Sequence, residues 1–147
     1  MLRPLALDLE QRRAAARLGG GDEKIARQHA AGKLTARERI ALLCSDFVEL
    51  GIHARPHFSQ RAMDGRSAPA DGVITGWGSI DGRPVAVVAY DFTVMAGSMG
   101  MTGEIKVARV RELALTKRIP IVWLLDSAGA RAGHGTGRRE RCRRDRA

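Results

Sequence analysis

Two unbroken apolar runs, 85–90 (VAVVAY) and 121–125 (IVWLL), constrain this chain more than anything else in it. Between them lie a Gly/Ser/Met-rich loop at 96–103 and a helical pattern at 104–117. A strand buried on one face alternates apolar and polar residues, whereas a parallel strand covered on both faces does not. The order strand, glycine loop, helix, strand, small-residue turn therefore reads as a βαβ unit, with both strands expected to be buried on both faces. Ligands of such units gather beyond the carboxyl ends of the strands, where both Gly/Ser-rich loops fall.

Upstream, Asp81-Gly82 separates residues 71–80 from 83–90. Asp-Gly between two β-rich runs predicts a two-residue hairpin, because a type I′ turn needs positive φ at both centres. Trp77 is expected at the hairpin's edge. Residues 47–52 form a short strand candidate, and residues 53–70 have no period and read as a loop. His53 and His57 are spaced four apart as helical metal ligands would be, but Pro56 between them breaks that helix, and no metal site is expected.

The first 45 residues are helical in pattern. Residues 5–18 are rich in good helix formers and stop at Gly19-Gly20-Gly21. Asp22 is a candidate cap for a second helix, 23–31. Thr35 and Glu38 make a T-x-x-E capping box for a third, with Ile40, Leu42 and Leu43 apolar. Helix, glycine and helix with many arginines resemble a DNA-binding motif only superficially, since no base-reading recognition helix is evident. A peripheral arm, packed on the main domain or on a partner subunit, is the expectation.

Composition adds exclusions. At 147 residues the chain builds one core. No apolar run reaches the ~20 residues that span a bilayer, and residues 1–10 lack the continuous core of a secretory signal. Cys44 and Cys142 make no zinc pair, so a reduced, cytoplasmic setting is expected. The net charge of +9 is unevenly spread: residues 132–147 hold six arginines and carry +4, which leaves +5 on the other 131. Nucleic acid is not required as a partner by so mild a charge on the body.

Two loops carry the candidate chemistry. Residues 96–103 precede a helix, so their amides could face an anion or a polarised carbonyl, or simply let backbone pass close by. They match neither a dinucleotide fingerprint nor a phosphate-binding loop. Behind them Ile105, Ala108, Val110, Leu113 and Leu115 are expected to face the core, and Lys106, Arg109, Arg111 and Glu112 to be solvated. In 126–131 (DSAGAR), Asp126 and Ser127 could cap the turn, and Arg131 could pair with Asp126 or contact a phosphate. Ser127 lacks a nucleophile's G-x-S-x-G frame.

Residues 33–40 (KLTARERI), 47–51 (FVELG), 71–76 (DGVITG) and 126–131 occur in that order. They resemble the amino-terminal part of the carboxyltransferase (β) subunits of biotin-dependent acyl-CoA carboxylases, the propionyl-CoA and methylmalonyl-CoA group. The resemblance covers about 5–131, and the missing cysteine zinc ribbon separates it from the bacterial acetyl-CoA carboxylase β type. It implies an α/β crotonase-like fold (ClpP/crotonase superfamily) of β-β-α units. An arm at 1–45 and a partial carboxyltransferase domain at 46–131 follow from it.

The resemblance also implies an acyl-CoA thioester as substrate and no covalently bound cofactor. Biotin is expected on a partner, the biotin carboxylase/biotin carrier subunit, and the subunits are expected to form a homo-oligomer. Carboxybiotin would give its carboxyl group to the thioester α-carbon. Gly97, Ser98, Met99 and Gly100, with Ala128, Gly129, Ala130 and Arg131, would line the CoA side, and no side-chain nucleophile is called for. After Arg131 the sequence leaves the family pattern. Residues 132–147 are expected to be disordered or a frameshift product, and the chain by itself inactive. A decarboxylase or transcarboxylase subunit is the alternative within the same chemistry. A basic-tailed nucleic-acid binder and a non-catalytic interaction partner are the alternatives outside it.

Overall fold

The computed structural model describes residues 2–56 and 66–131. His57 and the arginine-rich segment 132–147 lie outside the described residues. The elements run α1 (Leu2–Arg17), α2 (Asp22–Ala30), α3 (Ala36–Leu43), β1 (Val48–Leu50), β2 (Val73–Ile80), β3 (Arg83–Tyr90), α4 (Met101–Lys117) and β4 (Ile121–Leu124). The strands form one mixed sheet in the order β1-β2-β3-β4. β1–β2 and β2–β3 are antiparallel, while β3–β4 is parallel, Ala86 opposite Ile121 and Ala89 opposite Leu124.

The hairpin forms as its turn demands. Ile80 pairs with Arg83, and Asp81 and Gly82 both take positive φ, 49° and 75°. Trp77 does not sit at a sheet edge. It lies between Val48 of β1 and Ala86 of β3, with its ring partly exposed on the face of the sheet.

β3 explains the unbroken run at 85–90. Val85, Val87 and Ala89 pack with Ala36, Ile40, Cys44 and Ile74 on one face. On the other, Ala86, Val88 and Tyr90 pack with Val73 and with Val107, Val110 and Ala114 of α4. Helices thus cover both faces, and each buried valine contributes about 1.5–3 kcal/mol. α3, within the segment read as an arm, supplies Ala36 and Ile40 to this core. By contrast α1 is exposed along nearly its whole length, including Leu5 and Leu7.

Burial on both faces does not extend to β4. Its residues are half-buried and Trp123 is exposed, because β4 borders the sheet with β3 on one side only among the described strands. The face of α4 also differs from expectation. Gly103, Lys106, Val107, Val110 and Ala114 are buried, while Ile105 and Leu115 are 62% and 80% exposed. The buried positions follow a strict i, i+3, i+4, i+7 series. Val107 and Val110 pack on the sheet as an apolar face should, and Gly103 sits where a Cβ would meet Val73 Cγ1 at 3.1 Å.

Helix ends follow their chemistry in one case and not in another. At α3 the Thr35 hydroxyl accepts from the Glu38 amide, and the Glu38 carboxylate accepts from the Thr35 amide at 2.7 Å. Asp22 is instead the first residue of α2, whose cap Gly21 makes no side-chain bond. A charged first-turn residue there still favours the helix dipole.

Candidate functional site

Beyond the carboxyl ends of β3 and β4 the two loops meet, and backbone bonds close them together. The Met99 amide donates to Gly129 O at 3.1 Å, Arg131 to Met99 O at 2.9 Å and Ala128 to Ala96 O at 2.9 Å. Met99 and Ala130 form a parallel bridge. The Ser127 hydroxyl donates to Gly97 O at 2.6 Å and accepts from the Gly129 amide at 3.0 Å, so Ser127 caps the turn. All eight residues singled out from the sequence are brought together in this strip, one group on each side of it.

Glycine is required at two points of the strip. A Cβ on Gly97 would lie 2.2 Å from Asp126 O, and its φ is +63°. Met95 and Ala96 before it are also left-handed, at 52° and 53°. Such φ values cost non-glycine residues of order 1–3 kcal/mol each and persist only where surroundings impose them. A Cβ on Gly100 would meet Asp71 Oδ2 at 2.5 Å.

That contact leads to a charge cluster beneath the strip. Arg131 pairs with neither Asp126 nor the surface: it is 7% exposed, and its Nη1 donates to Asp71 Oδ1 at 2.6 Å. Its Nη2 donates to Ser98 O at 2.9 Å. Asp71 is fully buried, and its Oδ2 accepts the Gly103 amide at 2.8 Å, in the first turn of α4. Asp71 is not in a strand. It lies in a turn, Pro69–Gly72, where Ala70, Asp71 and Gly72 take φ of 52°, 54° and 75°.

Lys106, expected in solvent, is buried and donates to Ala70 O and Val73 O. Its pKa is lowered to about 8, chiefly because burial penalises the charge, against opposing pulls from Glu49 and Asp71. Asp71 was missed as a site residue, although Asp-Gly at 71–72 is the same turn signal as Asp-Gly at 81–82.

The floor of the strip is aromatic. Tyr90 at the end of β3 donates its hydroxyl to Met99 Sδ at 3.0 Å and stacks on Trp123 at 6.5 Å between ring centroids. Burial, then Glu104, raises the Tyr90 pKa, so the phenol stays neutral. Asp126 points the other way, toward the helices, accepting from Gln28 at 2.9 Å and Lys33 at 3.2 Å. The Gly20 amide donates to Thr93 Oγ1 at 3.0 Å. α2 and the α1–α2 joint are thereby tied to both strand ends. A cavity of about 350 Å³ lined by Lys33, Leu34, Arg39, Leu125 and Asp126 opens beside this tie.

No cluster of three or more metal-ligating side chains exists among the described residues, and no helix there is long and apolar enough to cross a membrane. The buried Cys44 thiol is held protonated by burial first and Asp46 second.

A mixed sheet under helices, with main-chain loops closed together at its strand ends, is the crotonase-like α/β architecture of carboxyltransferases. The carboxyl transferase domain matches residues 27–142, and the chain belongs to that family. It is 43% identical over 129 residues to the propionyl-CoA carboxylase beta chain of Roseobacter denitrificans, covering 86% of this chain and 25% of that one. The methylmalonyl-CoA decarboxylase subunit alpha of Veillonella parvula is 42% identical over 125 residues, covering 84% and 25%. A solved transcarboxylase 12S structure, described as a hexamer assembly with methylmalonyl-coenzyme A and methylmalonic acid bound, superposes with a TM-score of 0.88. It is 39% identical, and the match covers 92% of this chain and 27% of that one. The chain thus spans about a quarter of the length of the relatives it matches.

Proposed function

We propose that this chain contributes the acyl-CoA side of a carboxyltransferase acting on short acyl-CoA thioesters, propionyl-CoA or methylmalonyl-CoA. The closed strip at the carboxyl ends of β3 and β4 carries this reading. It is built largely of Gly, Ala and Ser, whose small side chains let a thioester and its pantetheine arm approach the backbone closely. The names of the matched relatives, which act on propionyl-CoA or methylmalonyl-CoA, support the substrate class. The names of the relatives favour one pair of compounds without choosing a direction, since carboxylase, decarboxylase and 12S carboxyltransferase chains are 43%, 42% and 42% identical.

Carboxybiotin on a partner carrier would supply the carboxyl group. Within the strip the amides of Gly97, Ser98, Met99, Ala128, Gly129 and Arg131 are engaged by the loops themselves. The strip's part is to bind and orient the thioester, in a cytoplasmic homo-oligomer with biotin carboxylase and carrier subunits as partners.

Titration calorimetry of the whole chain with propionyl-CoA, methylmalonyl-CoA and free CoA tests the reading. Saturable binding of a thioester is expected. No saturable binding up to about 1 mM ligand at two temperatures, a binding free energy weaker than about 4 kcal/mol, would overturn it.

A further inference from the structure

We propose that Asp71 and Arg131 are positioning residues: their buried ion pair holds the two loops of the strip, and the first turn of α4, in a single register. The chain separates these parts widely, yet one carboxylate and one guanidinium reach all of them. Asp71 comes from the turn before β2 and is fully buried. One of its oxygens takes Arg131 Nη1 from the loop after β4, and the other takes the Gly103 amide from α4. Arg131 adds Nη2 to Ser98 O and Nε to Ser98 Oγ at 3.4 Å, so it grips the loop before α4 from below. Gly100 lies against both partners, where a Cβ would meet Asp71 Oδ2 at 2.5 Å and Arg131 Nη1 at 2.6 Å.

Three features argue for registration rather than ligand contact. The guanidinium has its donors on protein acceptors and faces inward. Its plane suits a fork of fixed directions, which a lysine at the same place would not reproduce. The chain also accepts three successive left-handed residues, Ala70 to Gly72, to bring Asp71 there. The backbone bonds between Met99 and Gly129, and between Arg131 and Met99, set the strip's alignment, and the ion pair locks it from beneath.

The ligand part of this inference rests on the acyl-CoA reading above; the registration part does not. Hydrogen exchange read by mass spectrometry on the whole chain, as wild type, Asp71→Asn and Arg131→Lys, tests the registration. Exchange of the Met99, Ala128 and Arg131 amides should accelerate at least about tenfold in Asp71→Asn, while the β2–β3 hairpin keeps its wild-type protection. Arg131→Lys keeps the charge but not the fork, and should show the same pattern to a smaller degree. Unchanged loop exchange, or equal acceleration in the hairpin, would overturn the proposal. Should Asp71→Asn fail to fold, Arg131→Lys is read by the same two criteria.

Propionyl-CoA titration of the same proteins gives the second readout, with Kd expected to rise at least about tenfold in Asp71→Asn and less in Arg131→Lys. If wild type binds and a loosened variant binds equally well, the positioning role falls. If wild type does not bind, the acyl-CoA reading falls and the exchange pattern alone decides the registration.

Discussion

Asp71 reaches its place through backbone that few residues tolerate, and its neighbours are fitted to it at the level of single atoms. Gly100 shows this most directly. An added methyl group would stand 2.5 Å from the Asp71 carboxylate and 2.6 Å from the Arg131 guanidinium, neither of which has room to retreat. Gly100→Ala is therefore expected to destabilise the protein by about 1–3 kcal/mol, the range of forced overpacking. Urea unfolding monitored by circular dichroism checks this, and a midpoint equal to wild type would contradict the contact. The two loops were legible in the sequence because glycine and small residues clustered at strand ends are a local signal. The ion pair beneath them was not. Arg131 and Asp71 lie sixty positions apart, and nothing in the order of residues distinguishes this pairing from the nearer one with Asp126.

At the scale of elements, the capping box of α3 is the clearest agreement between sequence and structure. Thr35, Glu38 and His29 form one small network: His29 Nε2 lies 2.9 Å from Glu38, joining α2 to α3. The Glu38 carboxyl is held down at about 2, first by His29, then by the Thr35 amide and hydroxyl. Its folded pKa is depressed, so its contribution is present above 4.5 and lost as the pH falls toward 2. Thr35→Ala should lower stability by about 1 kcal/mol, checked by thermal melts at neutral pH. It should also flatten the acid limb of the stability curve. α4 was legible as a helix but not in its rotation. Its longest apolar residues, Ile105 and Leu115, point outward, while Gly103, Ala114 and a lysine face the sheet. Val107 and Val110 do face the sheet, but the stripe through Ile105 and Leu115 is as apolar in sequence, so hydrophobicity alone did not decide the rotation. Strand β4 misled in a related way, since its IVWLL run suits a covered strand while the structure places it at the border of the sheet.

Across the whole molecule, the buried Lys106 amine couples folding to pH. Its pKa falls from 10.5 to about 8 on folding, so between those values the unfolded chain holds the proton that the folded chain has released. Stability must then rise with pH across that window, with a slope of up to roughly 1.4 kcal/mol per pH unit. Below about 8 both states carry the charge, and the cost of burying it is constant. Unfolding free energies measured across the window should show this positive slope in wild type relative to Lys106→Met. Equal slopes in the two proteins would mean that the amine is not desolvated. The two covered faces, the hairpin and the crossover were all legible in the sequence, because each follows from a periodicity or a turn signature.

The parallel pairing of β3 with β4 bears on the order of events in time. β2 and β3 find each other across two residues, whereas β4 must return across a crossover of about thirty, a slower closure on entropic grounds. The strip and its ion pair exist only after that return. The hairpin is therefore expected to gain protection before the surface proposed to meet the ligand, an order that pulse-labelling hydrogen exchange during refolding would read directly.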